Sequence, residues 1–236
     1  MWRNERMTLE QTDMQLDARP GGDQDVFGCL SDELKACLRQ AERVLLLANN
    51  PAITAADLQA LQLGERDVVV SFNTCLKGTL LDARTHQVLV HGYNAPDHYF
   101  FGLPMRADLP NWLRDDRARH FTVLVGCTTP LCPLPGVSLF YERIPLPPLW
   151  NYPTTRPDGK RFVGPSTGFN ALVVLDTLRH QPGFDYAMLT LGFSNEAGKL
   201  WSGHAWAYER AWLLQADITV VELKARRKWW QLWRRR

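Results

Sequence analysis

The chain has 236 residues, 45% of them hydrophobic and 22% charged, proportions of a folded globular domain rather than of a disordered or collagen-like chain. Its formal charge of +2 is unevenly spread: residues 224–236 carry seven Lys/Arg and no acid, leaving 20 basic against 25 acidic side chains, a net of −5, in the other 223 residues. A mildly acidic body with a basic tail excludes a fold whose whole surface is built for nucleic acid.

The five cysteines, Cys29, Cys37, Cys75, Cys127 and Cys132, are irregularly spaced and show no zinc-ligand pattern, as expected in a reducing compartment. The first thirty residues are polar and contain acids, without the apolar segment of a signal peptide. No apolar run is long enough to span a bilayer. The expectation is a cytoplasmic protein.

Residues 1–24 lack periodicity and end in Arg19-Pro20-Gly21-Gly22, a loose arm; residues 25–223 then read as one domain. Ser31 to Ala41 places Leu34, Cys37 and Leu38 at helical spacing behind an acidic start. Arg43–Leu47 is a short apolar run, the mark of a strand buried on both faces. Asn49-Asn50-Pro51 breaks it, and Thr54 with Asp57 forms a capping box opening a helix through Leu61. Asp67–Phe72 is a second buried strand. Strand, turn, helix and strand in that order are the sequence form of a right-handed βαβ crossover. Apolar runs follow at Val88–Val90, Phe121–Val125 and Val137–Phe140, and then a long loop rich in Pro, Trp, Tyr and Arg from Pro145 to Pro165. Gly168–Arg179 reads as a helix, Tyr186–Thr190 as a strand, Ala205–Gln215 as a helix and Ile218–Leu223 as a last apolar run. The alternation predicts an α/β fold: a Rossmann-like, mostly parallel sheet flanked by helices.

Three segments carry candidate chemistry. The first is the turn Ala48-Asn49-Asn50-Pro51 after the first strand, beside Phe72-Asn73 at the end of the next. Ligands of open α/β sheets sit at the carboxyl ends of strands, and Asn amides there both donate to and accept from a nucleotide. The same residues equally close a turn and cap a helix. The second is Gly164-Pro165-Ser166-Thr167-Gly168 at a helix start, where free N–H groups and the helix dipole favour an anion, or where a hydroxyl simply caps the helix. The third is His204 followed five residues later by Glu209. That step does not put both side chains on one helical face, so it is not a metal pair. A His at a helix start can instead work as a base or serve a structural hydrogen bond.

In order along the chain, these segments resemble the motifs of the sialyltransferases. Leu47-Ala48-Asn49-Asn50-Pro51 and Val70-Ser71-Phe72-Asn73 stand where that family has a long motif of strand, Gly-Asn-Ser-Gly-like turn, helix and strand ending in Arg-x-Asn. Pro165-Ser166-Thr167-Gly168, the helix behind it and Gly192-Phe193 match the short motif, and His204 with Glu209 matches the final His-x4-Glu. Ala48 and Pro51 replace the usual glycines of the first turn. The His-and-Tyr motif between the short and final motifs is not recognisable in Ser194–Gly203. Lys160, Arg161 and Lys199 are the cations that could take over its help to the leaving phosphate.

The resemblance implies a variant GT-A-like sialyltransferase fold and transfer of an acidic ulosonic sugar, sialic acid or Kdo, from its CMP donor. Asn49, Asn50 and Asn73 would hold the CMP moiety, Ser166, Thr167 and Gly168 would line the donor site, and His204 would be the base, with Glu209 as its companion. The family needs no divalent metal, and no cofactor is expected. Some Kdo transferases retain configuration through a carboxylate nucleophile, a part open to Glu209 or Asp185. Trp150 and Tyr152 either stack on sugar rings on the acceptor side or pack their own loop. The tail 224–236, with seven cations and Trp229, Trp230 and Trp233, suits docking on the inner face of an anionic membrane at about 1 kcal/mol per cation. A lipid-linked glycan such as lipopolysaccharide core is then the expected acceptor, and nucleic acid an unfavoured partner. A catalytically silent, membrane-docked nucleotide-binding protein of the same fold is the competing expectation.

Overall fold

The computed structural model describes residues 27, 30–73, 77–81, 85–91, 99–100, 103–104, 120–124, 137–138, 146–193 and 200–223. The arm 1–24, the tail 224–236 and Lys199 lie outside the described residues.

The first helix, α1 (Asp32–Gln40), starts where the Ser31 hydroxyl accepts from the Leu34 N–H at 3.2 Å. Asp32 and Glu33 complement the helix dipole in its first turn. Strand β1 (Arg43–Leu47) leads to α2 (Ala55–Gln59), opened by the Asp57 carboxylate, which accepts from both the N–H and the hydroxyl of Thr54 at 2.8 and 2.7 Å. This helix stops at Gln59, two residues short of the expected Leu61. Strand β2 (Asp67–Phe72) follows, then β3 (His86–His91), a small antiparallel pair β4 (Tyr99–Phe100) and β5 (Leu103–Pro104), β6 (His120–Leu124) and β7 (Val137–Ser138). The segment expected to be a loop between Pro145 and Pro165 contains a helical turn, α3 (Pro147–Trp150), and a bridge between Thr155 and Arg161. Proline at the first helical positions costs no hydrogen bond, which explains a turn in a Pro-rich stretch. The chain ends its described part with α4 (Thr167–Arg179), β8 (Ala187–Leu191), α5 (Trp206–Gln215) and β9 (Thr219–Val221).

The main sheet has the order β7-β6-β3-β2-β1-β8-β9, and every pairing in it is parallel. Five strands of five or six residues form its body, with the short β7 and β9 at the edges. Side-chain alternation splits β1 between two cores. Val44 and Leu46 face the large core of α1, α4 and α5, while Leu45 and Leu47 face the smaller core of Ile53 and Leu58. A strand buried on both faces is mostly apolar, and Arg43–Leu47 carries no polar residue after its first.

That first residue has a task. The Arg43 guanidinium makes a two-pronged contact with Asp67 at the start of β2, and also donates to the Leu61 and Gln62 carbonyls at 3.1 and 3.2 Å. Asp67 in turn accepts from the Gly64 N–H at 2.6 Å. The pair thus locks the amino ends of β1 and β2 to the loop between them. Burial pushes the Asp67 carboxyl up, but the Arg43 guanidinium and the Gly64 N–H outweigh it and hold its pKa below the ordinary aspartate value. A carboxyl lowered in the folded state contributes stability that is whole above the unfolded pKa of ~3.9 and is lost as pH falls through the lower folded value. Asp67→Asn is expected to cost roughly 1.5–3 kcal/mol at neutral pH and to flatten the acid limb of stability against pH, both read by urea unfolding across a pH series.

Candidate active site

Along the sheet the chain moves outward from β1 through β2, β3, β6 and β7, then returns to place β8 on the other side of β1. The connections after β1 and after β8 therefore leave the sheet on diverging paths. A crevice opens outside the carboxyl ends of these two strands, the usual ligand position in an open α/β sheet. A cavity of about 960 Å³ lies there, at the upper end of the ~300–1,000 Å³ common for ligand clefts.

Its inner wall is the turn Ala48–Pro51 after β1, Asn73 after β2, and Gly192-Phe193 after β8. Asn50 spends its whole amide on this wall: its Nδ2 donates to the Gly192 carbonyl at 3.1 Å and its Oδ1 accepts from the Ala52 N–H at 2.9 Å. The Oδ1 bond closes the turn on itself, the Nδ2 bond joins it to the end of β8, and Asn50 still lines the cavity. Gly192 has φ +83, and a Cβ there would come within 2.7 Å of Ile53 and 3.0 Å of Asn50. Only glycine satisfies both the backbone and the close approach. Asn49 donates to the Phe72 carbonyl at 2.7 Å. Asn73 adopts the left-handed conformation (φ +48), which Asn tolerates, and its Nδ2 lies 3.5 Å from the Thr167 hydroxyl.

The side wall is the start of α4. The Ser166 hydroxyl accepts from the Phe169 N–H at 3.1 Å, which caps the helix, and donates to Glu209 Oε2 at 2.6 Å. Thr167 and Gly168, the first two helical residues, line the cavity. Their N–H groups have no carbonyl four residues back within the helix, and the Glu209 carboxylate already meets part of this end through Ser166.

Glu209 lies in the first turn of α5, only 7% exposed. Its Oε1 accepts from the Ser166 N–H at 2.9 Å and from the Tyr152 hydroxyl at 2.7 Å, in addition to the Ser166 hydroxyl on Oε2. Tyr152 is likewise buried, at 7%, and accepts from the Ala205 N–H at 2.6 Å. Burial, reinforced by the Glu209 carboxylate, pushes the Tyr152 phenol well above its ordinary pKa. Tyr152 is thus a buried bracket packed against Phe169 and Tyr208, not a sugar-stacking ring. Trp150 is exposed but lies outside the cavity lining, as do Lys160 and Arg161. Asp185 precedes the amino end of β8, a strand of five residues and so roughly 16 Å long at ~3.3 Å per residue. It sits at the wrong end of the sheet for a nucleophile.

The outer wall holds His204. Its Nδ1 donates to the Gly164 carbonyl at 2.6 Å. A carbonyl only accepts, so Nδ1 carries the proton and Nε2 is the lone-pair nitrogen of the neutral ring. Trp201 and Trp206 stand edge-on to the imidazole, at centroid distances of 4.7 and 5.2 Å.

The structure thus gathers Asn49, Asn50, Asn73, Ser166, Thr167, Gly168, His204 and Glu209 around one cavity and leaves Trp150 and Tyr152 out of its lining. Sequence reasoning missed Trp201, Trp206 and Arg210, which also line it. Trp206, Arg210 and Leu213 follow the i, i+4, i+7 spacing of one helical face, a signal present in the sequence but indistinguishable there from a core stripe. Among the described residues no group of three or more His, Cys, Asp or Glu is placed to hold a metal ion, and no helix is long and apolar enough to cross a membrane.

Tyr152→Phe removes a hydroxyl that both donates to Glu209 and accepts from Ala205, leaving the buried Ala205 N–H without this acceptor and Glu209 with the Ser166 donors alone. A loss of about 1–3 kcal/mol is expected, measured by urea unfolding, with Tyr186→Phe, which releases only the Leu175 carbonyl, as the milder comparison. Comparison of the chain with protein-family models, with characterised proteins and with solved structures finds no match, which leaves the chemistry of these residues as the ground for assigning a function.

Proposed function

We propose that the chain is a glycosyltransferase that moves an acidic ulosonic sugar, sialic acid or Kdo, from a CMP donor to a hydroxyl of a glycan or lipid-linked glycan. One observation carries the reading. A single crevice at the sheet's switch point has the start of α4 on one wall and a histidine held through its Nδ1 by the Gly164 carbonyl on the other. The first suits the phosphate of CMP, because the Thr167 and Gly168 N–H groups and the helix dipole favour an anion. The second suits an acceptor hydroxyl. Asn49 and Asn73, at the ends of β1 and β2, line the inner region where the cytidine would lie.

In the reaction, the acceptor oxygen bonds to the anomeric carbon of the ulosonic sugar as the bond from that carbon to the phosphate oxygen breaks. The departing CMP keeps the electron pair, and His204 Nε2 takes the acceptor proton. The Gly164 carbonyl, holding Nδ1–H, favours the imidazolium that results. Negative charge gathers on the leaving phosphate, where the α4 N–H groups would receive it. Glu209 serves as a positioning residue in this scheme, because its oxygens are engaged by Ser166 and Tyr152. Its engagement favours inversion with His204 over retention through a carboxylate nucleophile. Residues 224–236 would bring the enzyme to the inner membrane surface and its lipid-linked acceptor, which places the work in the cytoplasm. Deleting them is expected to abolish co-sedimentation with phosphatidylglycerol vesicles while leaving transfer to a soluble acceptor intact.

Purified protein incubated with CMP-sialic acid or CMP-Kdo and a glycan acceptor is expected to release CMP. His204→Ala should lower that rate by ~10²–10⁴-fold with CMP affinity unchanged. A variant keeping more than about a tenth of the wild-type rate would remove His204 from the role of base. CMP binding without turnover across the acceptors would favour the catalytically silent reading.

A further inference from the structure

The outer end of the cavity contains side chains that the donor phosphate and the base leave unused. Trp201 lines it with 50% of its surface exposed, yet its ring is fixed on several sides. His204 packs edge-on to it, its carbonyl accepts from the Trp206 indole N–H at 2.7 Å, and Gly203 lies so close that a Cβ there would meet the ring at 2.6 Å. An aromatic ring packed against His204 and Gly203 while half open to solvent is a contact surface with less rotamer freedom to lose when something lies on it.

Arg210 lies one helical turn after Trp206 on the same face of α5 and lines the same end of the cavity. It is exposed, and among the described residues no carboxylate or carbonyl pairs with it. The nearest acid in sequence, Glu209, has its oxygens engaged by Tyr152 and Ser166 and does not neutralise it. A guanidinium stays charged at all accessible pH, and its planar fork matches a carboxylate or a phosphate.

We propose that Trp201, Trp206 and Arg210 form a subsite beside His204 for a sugar ring that bears a carboxylate or a phosphate. The indole rings take the apolar face of the pyranose and the guanidinium takes the anion. The anion comes either from the ulosonic acid of the donor or from an acidic acceptor; only this naming of the source rests on the transferase reading, because the subsite itself needs no nucleotide.

Saturation-transfer NMR and calorimetry with free sialic acid, Kdo, galactose 6-phosphate and neutral galactose test it directly on the full chain. The wild type is expected to bind the acidic sugars in preference to galactose. Arg210→Ala should weaken the acidic sugars about tenfold or more, with galactose and the melting temperature unmoved, and Arg210→Lys should recover part of the loss. Trp201→Ala should weaken acidic and neutral sugars together, with Trp201→Phe intermediate. Equal binding of acidic and neutral sugars by the wild type, or unchanged acidic-sugar affinity in Arg210→Ala, overturns the proposal. Where CMP release is observed, a higher KM for the donor in Arg210→Ala assigns the anion to the donor, and a higher KM for a phosphorylated acceptor alone assigns it to the acceptor. Acidic-sugar binding through Arg210 by a protein that neither binds CMP nor releases it would keep the subsite and dismiss the transferase.

Discussion

A carboxylate that is almost out of water needs donors from every side, and Glu209 draws its donors from two separate stretches of chain. It receives the N–H and hydroxyl of Ser166 from the start of α4 and the hydroxyl of Tyr152 from the turn after α3. The Ser166 hydroxyl is itself the cap of α4, and the Tyr152 hydroxyl holds the backbone just before α5. Because Ser166 must give its proton to the carboxylate, its lone pairs remain for the Phe169 N–H, and the cap of α4 is oriented. Because Tyr152 does the same, its oxygen is left to accept from Ala205, the residue before α5. One buried charge thereby sets the start of two helices, and those two starts form facing walls of the cavity. Losing such an anchor leaves polar groups buried without partners, a cost that falls on the site before it falls on the sheet.

The sheet supplies the other half of the geometry. Parallel strands share a direction, so every strand-to-helix turn emerges on the same edge, and the reversal of winding between β1 and β8 parts those turns into a crevice. Asn49, Asn50, Asn73 and Gly192 come together for this reason, although up to 143 positions separate Asn49 from Gly192 in the chain. The hydrogen bond from Asn50 to the Gly192 carbonyl closes the reversal from inside. Hydrogen bonding divides these residues: Asn50 and Glu209 are tied to distant parts of the fold, whereas His204 is held only through Nδ1 and Arg210 has no described protein partner.

Much of this was legible before any coordinates. Apolar continuity identified β1 and β2, because strands covered on both faces are built mostly from apolar residues. Thr54 and Ser166 announced two helix starts through local hydrogen bonds that span three residues and need no tertiary partner. The helical turn Pro147–Trp150 was not legible, since its prolines read equally as loop punctuation. Tyr152 was ambiguous for a related reason: an aromatic residue in a Pro-rich segment has no period that says whether it faces solvent or core.

Local sequence thus determined the order of the main strands and helices, the α/β class and the identity of the polar residues worth watching, because periodicity and capping act over a few residues. Which of those polar groups serve the fold and which face the cavity was decided only by tertiary structure. Asn50 and Glu209 look as available in the chain as His204 does, and they differ solely in the distant donors and acceptors that folding brings to them. A hydrogen bond between residues far apart leaves no mark on the spacing of either, so the sequence names the candidates and the packed structure assigns their work.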